Sequence, residues 1–269
     1  MRVHNYEEIA EDAYRLAESI WDFPRSLTGR GFNSSLDTIE DFIDLPINRI
    51  SFSSGEPVGD WIIPQQWEVQ NAFIVGPDGN KICDFSENNL HLVGYSSAFR
   101  GCLSRAELDR HLFSIPHLPE AIPYVTSYYK DFWGFCLQDS VRQNLKEGQY
   151  KVLIDTTKFD GELIVGECFI PGEEGQSEIL LSTYLCHPSM ANNELSGPVI
   201  ASSLINIQKD LNYRRGLRVL FLPETIGSIA YLTRNLEHLK SKVIGGFVLT
   251  CVGDDREFSF LPTRLGNSL

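Results

Sequence analysis

Apolar residues recur at helical spacing near the start of the chain, with Ile9, Ala13, Leu16, Ala17, Ile20 and Trp21 falling along residues 5–22. Pro24 and Gly29 interrupt the pattern before a second helical stretch, so two helices are expected to open the protein. Over residues 46–145 the pattern changes to short strand-like runs, close-set prolines and aromatics, and the turn signal "PDGN", which together predict a separate strand-rich unit. From Tyr150 onward it becomes regular. "YKVLID", "GELIVGECFI", "EILLSTYL", "LRVLFLP" and "VIGGFVLTCV" read as strands, while "GPVIASSLINIQ" and "TIGSIAYLTRNL" read as helices. Apolar strands alternating with amphipathic helices predict an α/β fold: a mixed, mainly parallel sheet with helices on both faces, plus the strand-rich unit. No internal repeat or flexible linker interrupts it.

The ends of those strands carry the chemistry. In an open α/β sheet, ligands bind beyond the carboxyl ends of parallel strands. After Leu185 come His187, Asn192, Asn193 and Glu194; after Leu222 comes Glu224; after Val252 come Asp254 and Asp255. A histidine with carboxylates from neighbouring loops suits a divalent ion such as zinc, and a further carboxylate suits proton abstraction from a bound water. Gly197 and Pro198 suggest a helix start whose free N–H groups face the same crevice and hold an anionic group. Taken alone, the same residues also fit a plain structural role, since strand-end histidines and acids commonly serve as hydrogen-bonded caps.

Other chemistries lack a pattern. Cys186 and His187 are adjacent and would point to opposite faces of a strand, which disfavours a thiolate pair. There is no G-x-S-x-G elbow, P-loop or G-x-G-x-x-G turn. The six cysteines are widely spaced, without a C-x-x-C pair, and read as buried thiols. His91, His111 and His117 read as packed or capping residues, and Tyr124, Tyr128, Tyr129, Trp133 and Phe135 as core of the strand-rich unit.

The chain has 269 residues, 42% of them hydrophobic, enough for a folded core. Its 23 basic against 36 acidic residues give a formal charge of -13, which argues against nucleic acid and anionic membranes as partners. The first residues carry several acids and no long apolar run, so a cytoplasmic location is expected. A homo-oligomer is compatible with this composition.

"HPSMANNELSGP" and "PETIGSIAYL" resemble, in order and spacing, motifs of the zinc-dependent exopeptidase superfamily of aminopeptidases: a strand-end histidine, an "A-N-D-N-x-S-G" loop and an "E-E-x-G" strand end. "FPRSLTGRGF" is similar to that superfamily's early "R-x-x-G-S/T" loop. "NNLHLVGYS", "IPYVTSYY", "WGFC", "CHPSMANNELSGP", "LPETIGS" and "LTCVGDD" resemble a bacterial aminopeptidase-like subfamily with an inserted domain of unknown function. The resemblance implies a split α/β core at 1–48 and 146–269, an inserted domain at 49–145, and relatives that run on past Leu269, so that the chain is C-terminally incomplete.

For function, the resemblance implies a zinc-dependent hydrolase cleaving an amide bond next to a free terminus of a peptide or other small amide. It places His187 at the first zinc ligand and Glu224 at the general base. Asn193 stands where a bridging aspartate is expected, Thr225 where a second-site glutamate is, and Thr250 where another aspartate is. An amide is a weak neutral ligand, which leaves Glu194 and Asp254 as the remaining metal-ligand candidates for one or two zinc ions, with Asn192 and Asn193 as substrate-binding residues. The other expectation is a catalytically decayed, peptidase-shaped binding or scaffold protein.

Overall fold

The computed structural model describes residues 5–173, 175, 177–257 and 259–266. Contacts divide the chain into two compact units: a discontinuous one that runs up to Ile63 and resumes at Glu162, and a second made of Pro64–Gly161.

Both opening helices form in the first unit, Tyr6–Ile20 and Arg30–Ile43. The second buries Phe32, Leu36, Ile39 and Ile43, a three-and-four spacing that lays one apolar stripe against the core. These helices pack with each other and with the Ser196–Gln208 helix. Beneath them lies a five-stranded sheet in the order Asn48–Ser53, Glu162–Ile170, Gly216–Leu222, Glu178–Tyr184, Val243–Val248. Every residue of its central strand, Gly216–Leu222, is buried, as a strand covered on both faces requires.

Side chains show the two coverings directly. A Cβ on Gly166 would lie 2.7 Å from Leu36 and 3.1 Å from Ile47, whereas the next residue, Glu167, accepts the hydroxyl of Tyr231 from the Ile226–Lys242 helix. Successive strand residues face opposite ways, so the two helical layers lie on opposite faces. On the Tyr231 side, Arg218 is 8% exposed yet fully engaged: Nε and Nη2 donate to Glu178 at 2.7 and 3.1 Å, and Nη1 meets Glu167 at 2.6 Å. A buried guanidinium is tolerated when its planar fork is matched in this way.

The sheet is less parallel than the sequence reading has it. Glu178–Tyr184 pairs in parallel with Gly216–Leu222 and Val243–Val248, but Glu162–Ile170 runs antiparallel to both of its neighbours. Parallel neighbours need a long crossover, and helices join only the strands that begin at Glu178, Gly216 and Val243. Periodicity records burial and is silent on direction.

The second unit holds a four-stranded antiparallel sheet in the order Lys81–Asp84, Gln66–Val75, Gln149–Phe159, Phe99–Ser104. The unit boundaries therefore fall later than 48/49 and 145/146: Asn48–Ser53 belongs with Glu162–Ile170, and Gln149–Phe159 with Gln66–Val75. A strand sorts with its hydrogen-bond partner, which local pattern does not reveal. Here His91 and His111 each set Nδ1 2.8 Å from a backbone carbonyl, of Cys136 and Trp133, which are packing roles. Cys83, Cys136, Cys168 and Cys186 are buried, but Cys102 and Cys251 are exposed, against the expectation of six buried thiols. Among the described residues no helix is long and apolar enough to cross a membrane.

Gly197 sets how closely the Ser196–Gln208 helix approaches the sheet. A Cβ there would lie 2.2 Å from Thr183 Oγ1 and 2.4 Å from the Leu249 carbonyl. Gly197→Ala is expected to destabilise the protein by about 1–3 kcal/mol through overpacking, read as a lower urea midpoint at unchanged slope; an unchanged midpoint would show that the helix has room to move.

Candidate active site

Three strand ends meet on one edge because three strands run the same way. Tyr184 pairs with Leu222 and Ser182 with Val248, and the ladder continues through Leu185 N–H to Leu222 O at 3.0 Å and Leu249 N–H to Ser182 O at 2.9 Å. The chain then leaves the sheet at Cys186 and His187, at Pro223 and Glu224, and at Thr250 and Cys251. Across this edge His187 Nε2 lies 3.1 Å from Glu224 Oε2. The imidazole is 9% exposed and the carboxylate 47%, so the pair spans the boundary between core and solvent.

His187 is held at its peptide as well as its ring. Its N–H donates to Glu194 Oε1 at 2.6 Å, and its C=O accepts from Arg25 Nε and Nη2 at 3.2 and 3.0 Å. Both clamping residues are buried. On the ring, Nδ1 lies 3.1 Å from Asn193 Oδ1 and 3.0 Å from Glu194 Oε2. The second contact has an ion pair's separation but not a hydrogen bond's direction, since Glu194 Oε2 has no hydrogen-bond partner. Burial lowers Arg25 to about 10 against the pull of Glu194. Burial also opposes a charge on His187, but contacts with Cys186 and Glu194 outweigh it and push the imidazole up to about 11.

The backbone explains how Glu194 reaches inward. Ala191–Leu195 forms a π-helical turn, with Leu195 N–H bonded to Met190 O at 3.3 Å and Ser196 N–H to Ala191 O. This wide turn, a form that recurs at functional sites, runs straight into the Ser196–Gln208 helix. The expectation of an open helix start at Gly197 and Pro198 is therefore corrected: the turn precedes them, and Gly197 is buried against Thr183 and Leu249.

Each of the three loops also holds a non-glycine residue at positive φ: Ser189 (49°), Thr225 (62°) and Cys251 (53°). Such positions cost roughly 1–3 kcal/mol each and persist where surrounding contacts over-determine them. Thr225, with ψ −71°, is the centre of a tight γ-turn closed by Ile226 N–H to Glu224 O at 2.7 Å. Glu224 N–H in turn donates to Cys186 Sγ at 3.3 Å. The Glu224 backbone is thereby fixed on both sides.

The remaining predicted residues tie the rim together. Asn192 Oδ1 accepts from Gly253 N–H at 2.8 Å and its Nδ2 donates to Asp254 Oδ2 at 3.0 Å. Thr250 Oγ1 meets the hydroxyl of Tyr184, and Asn193 Nδ2 lies 3.8 Å from Cys251 Sγ. The structure thus brings His187, Asn193, Glu194 and Glu224 together and pairs Asp254 with Asn192. Among the described residues, no group of three or more histidine, cysteine, aspartate or glutamate side chains is placed to hold a metal ion. These residues do not fit a two-zinc centre: a single imidazole lies between two carboxylates, Glu194 Oε1 is taken by a peptide N–H, and Asn193 offers only a neutral amide at the ring. Arg25 joins the site although the sequence gives it no role; its signal there is its place in "FPRSLTGRGF".

Residues 14–269 match the family described as a domain of unknown function, DUF4910. A Clostridium acetobutylicum protein, provisionally named a polysaccharide biosynthesis protein with an aminopeptidase-like domain, is 39% identical over 266 residues, a match that takes in 99% of this chain and 60% of that protein. A crystal structure from the same species, provisionally named a peptidase, aligns at TM-score 0.86 and 39% identity over 93% of this chain and 60% of its own. The fold extends to a zinc aminopeptidase of Bacillus subtilis, at TM-score 0.57 and 13% identity over 92% of this chain and 69% of that one. It extends likewise to a peptidase M28 precursor of Shewanella amazonensis, at TM-score 0.58 and 11% identity over 88% and 71%. At such identities the last two establish the fold alone.

Replacing Arg25 by Met removes both donors from the buried His187 carbonyl. Arg25→Met is expected to cost about 1–3 kcal/mol in chemical denaturation, with Arg25→Lys recovering part of the loss. Equal stability of Arg25→Met and the parent would show that the carbonyl is satisfied elsewhere.

Proposed function

This chain belongs to the DUF4910 family, and we propose that it carries the reactive edge of a peptidase-like hydrolase that cleaves an amide bond next to a free terminus. The observation that supports this most is the 3.1 Å pairing of His187 with Glu224 at the carboxyl edge of the parallel strands, in a fold shared with a zinc aminopeptidase and a peptidase M28 precursor. The chain spans 60% of the length of its Clostridium relative, so the activity of the whole protein is part of the proposal.

In this reading Glu224 is the general base. Its carboxylate is half-exposed, anchored through Oε2 on His187 Nε2 and held by a strained turn, so it is presented to water in a fixed direction. His187, gripped at N–H and C=O, fixes Glu224 and stays in place as charge develops. Asn193 orients the ring through Nδ1 and presents its amide at the rim. Asn192 and Asp254 shape the rim by holding each other. Zinc is the ion that the fold's relatives suggest, but the donor set described is incomplete for it, and the roles given to Glu224, His187 and Asn193 stand without it.

A second reading is favoured by Asn193. Where a bridging carboxylate is expected, an amide sits 3.1 Å from His187 Nδ1, which suits a peptidase-shaped binding protein. One experiment separates the two. If the site is hydrolytic, the purified protein cleaves aminoacyl chromogenic amides, and Glu224→Gln lowers the rate about 100-fold or more while the fold is retained. Calorimetric zinc titration of the parent, His187→Ala and Asn193→Asp reads the metal directly: a restored carboxylate is expected to tighten zinc binding about tenfold or more. No hydrolysis, together with no zinc binding that depends on His187, would reject the enzyme in favour of the binding protein.

A further inference from the structure

The second unit contains a cavity that the hydrolytic reading does not use. It has a volume of about 350 Å³, within the roughly 300–1,000 Å³ range of small-molecule sites, and its wall includes Tyr95, Tyr128, Tyr129, Ser97, Asp131 and Lys158. Three of these come from "NNLHLVGYS" and "IPYVTSYY", segments that the strand-end site leaves unexplained. We propose that this cavity binds an acidic saccharide, stacking a sugar ring on its tyrosines and pairing the sugar's carboxylate with its lysines.

Backbone strain is the first support. Tyr95 is buried and sits at φ 64°, a conformation that a bulky side chain adopts only when its surroundings force it. Those surroundings are present. Its ring stacks on Trp67 at 5.4 Å and 18° and meets Tyr128 edge-on at 5.1 Å and 84°. On either side, Gly94 N–H donates to Val125 O at 2.9 Å and Ser97 N–H to Phe132 O at 2.9 Å. The strain packs the Tyr95 ring between Trp67 and Tyr128, where it backs the wall from behind, and the ring left open to the cavity is that of Tyr129.

Polar groups supply the second support. Lys158 Nζ donates to Ser97 Oγ at 3.2 Å, and the Ser97 hydroxyl donates to Asp131. Lys130 also lines the wall, so two lysines face one aspartate. On a chain of net charge -13 this is a local reversal of sign, and it suits an anionic group. Burial lowers the Lys158 ammonium, with Asp131 acting against the shift; a carboxylate would restore the stabilisation lost with solvent. Asp131 provides acceptor oxygens for hydroxyls, and Gln65, whose Nε2 donates to Asp160 at 3.1 Å, offers its amide oxygen. Tyr129, 56% exposed, adds a ring with one side toward solvent. Apolar ring faces with a few convergent polar groups match a pyranose, whose C–H face is apolar and whose rim is hydroxylated.

The proposal is independent of hydrolysis at Glu224, and its test reads binding alone. The purified chain is titrated by calorimetry with a hexuronate oligosaccharide and with a neutral oligosaccharide of equal length. Trp67 fluorescence serves as a second signal. The acidic oligosaccharide is expected to bind saturably and the neutral one about tenfold or more weaker. Tyr129→Ala and Lys158→Met should each weaken acidic-sugar binding about tenfold with unchanged unfolding midpoints; Tyr129 is exposed, so its truncation spares the fold. Absence of saturable binding, equal affinity for the two sugars, or folded variants that bind as the parent does would overturn the proposal.

Discussion

One peptide unit organises the reactive edge. His187 has its N–H on Glu194 and its C=O on Arg25, and both partners are buried and charged. An ordinary buried hydrogen bond contributes about 1 kcal/mol, and one to a charged group about twice that. The larger effect is the penalty that either charge would meet alone in the interior. Arg25, which also donates to the Ile20 carbonyl, and Glu194 both close on the peptide of His187, and the ring of His187 inherits that fixity. Arg25 stands in the segment between the two opening helices and Glu194 in the turn after the Glu178–Tyr184 strand. The segment between the first helices and the turn after the strand thus meet at the histidine.

The strained loops follow from the same constraint. Ser189, Thr225 and Cys251 lie at positive φ in the three loops that leave the parallel strands. At Thr225 the strain is answered by the γ-turn and by the bond from Glu224 N–H to the buried Cys186 sulfur. A buried thiol is a weak acceptor but a compact one, and desolvation raises its pKa while the contact with His187 acts the other way. Gly197 completes the arrangement by letting the helix come close enough for the π turn to lie over the sheet edge. The cost of the strain falls where side chains must be aimed, as is expected of a site and not of a plain connector.

Much of this was legible in the sequence, and the illegible part has physical reasons. Amphipathic spacing located both opening helices and the strands beginning at Glu178, Gly216 and Val243, because burial of one face imposes periodicity. The strand-end rule placed His187 beside Glu224, since parallel strands joined by helices end on one edge. Strand direction for Asn48–Ser53 and Glu162–Ile170, and their separation from Gln149–Phe159, depend on long-range pairing that leaves no local trace. Arg25 escaped notice because its partner is a carbonyl 162 residues away. The π turn has no local signature because "ANNEL" is equally at home in a loop, and its helical closure sets the Asn192 amide against Gly253 and Asp254.

Charge balance unites these features. Around His187 the buried or half-buried groups are Arg25 and the imidazole, held toward its charged form, against Glu194 and Glu224. One imidazole thus lies 3.0 Å from Glu194 Oε2 and 3.1 Å from Glu224 Oε2, and a poorly solvated carboxylate needs such a partner. An aspartate in place of Asn193 would add a third negative charge at the ring and leave an excess suited to a dication. Asparagine keeps the oxygen that faces Nδ1 and discards the charge. In the same cluster Glu224 is the carboxylate that is half-open to solvent, at 47% exposure, while Glu194 is sealed in the interior.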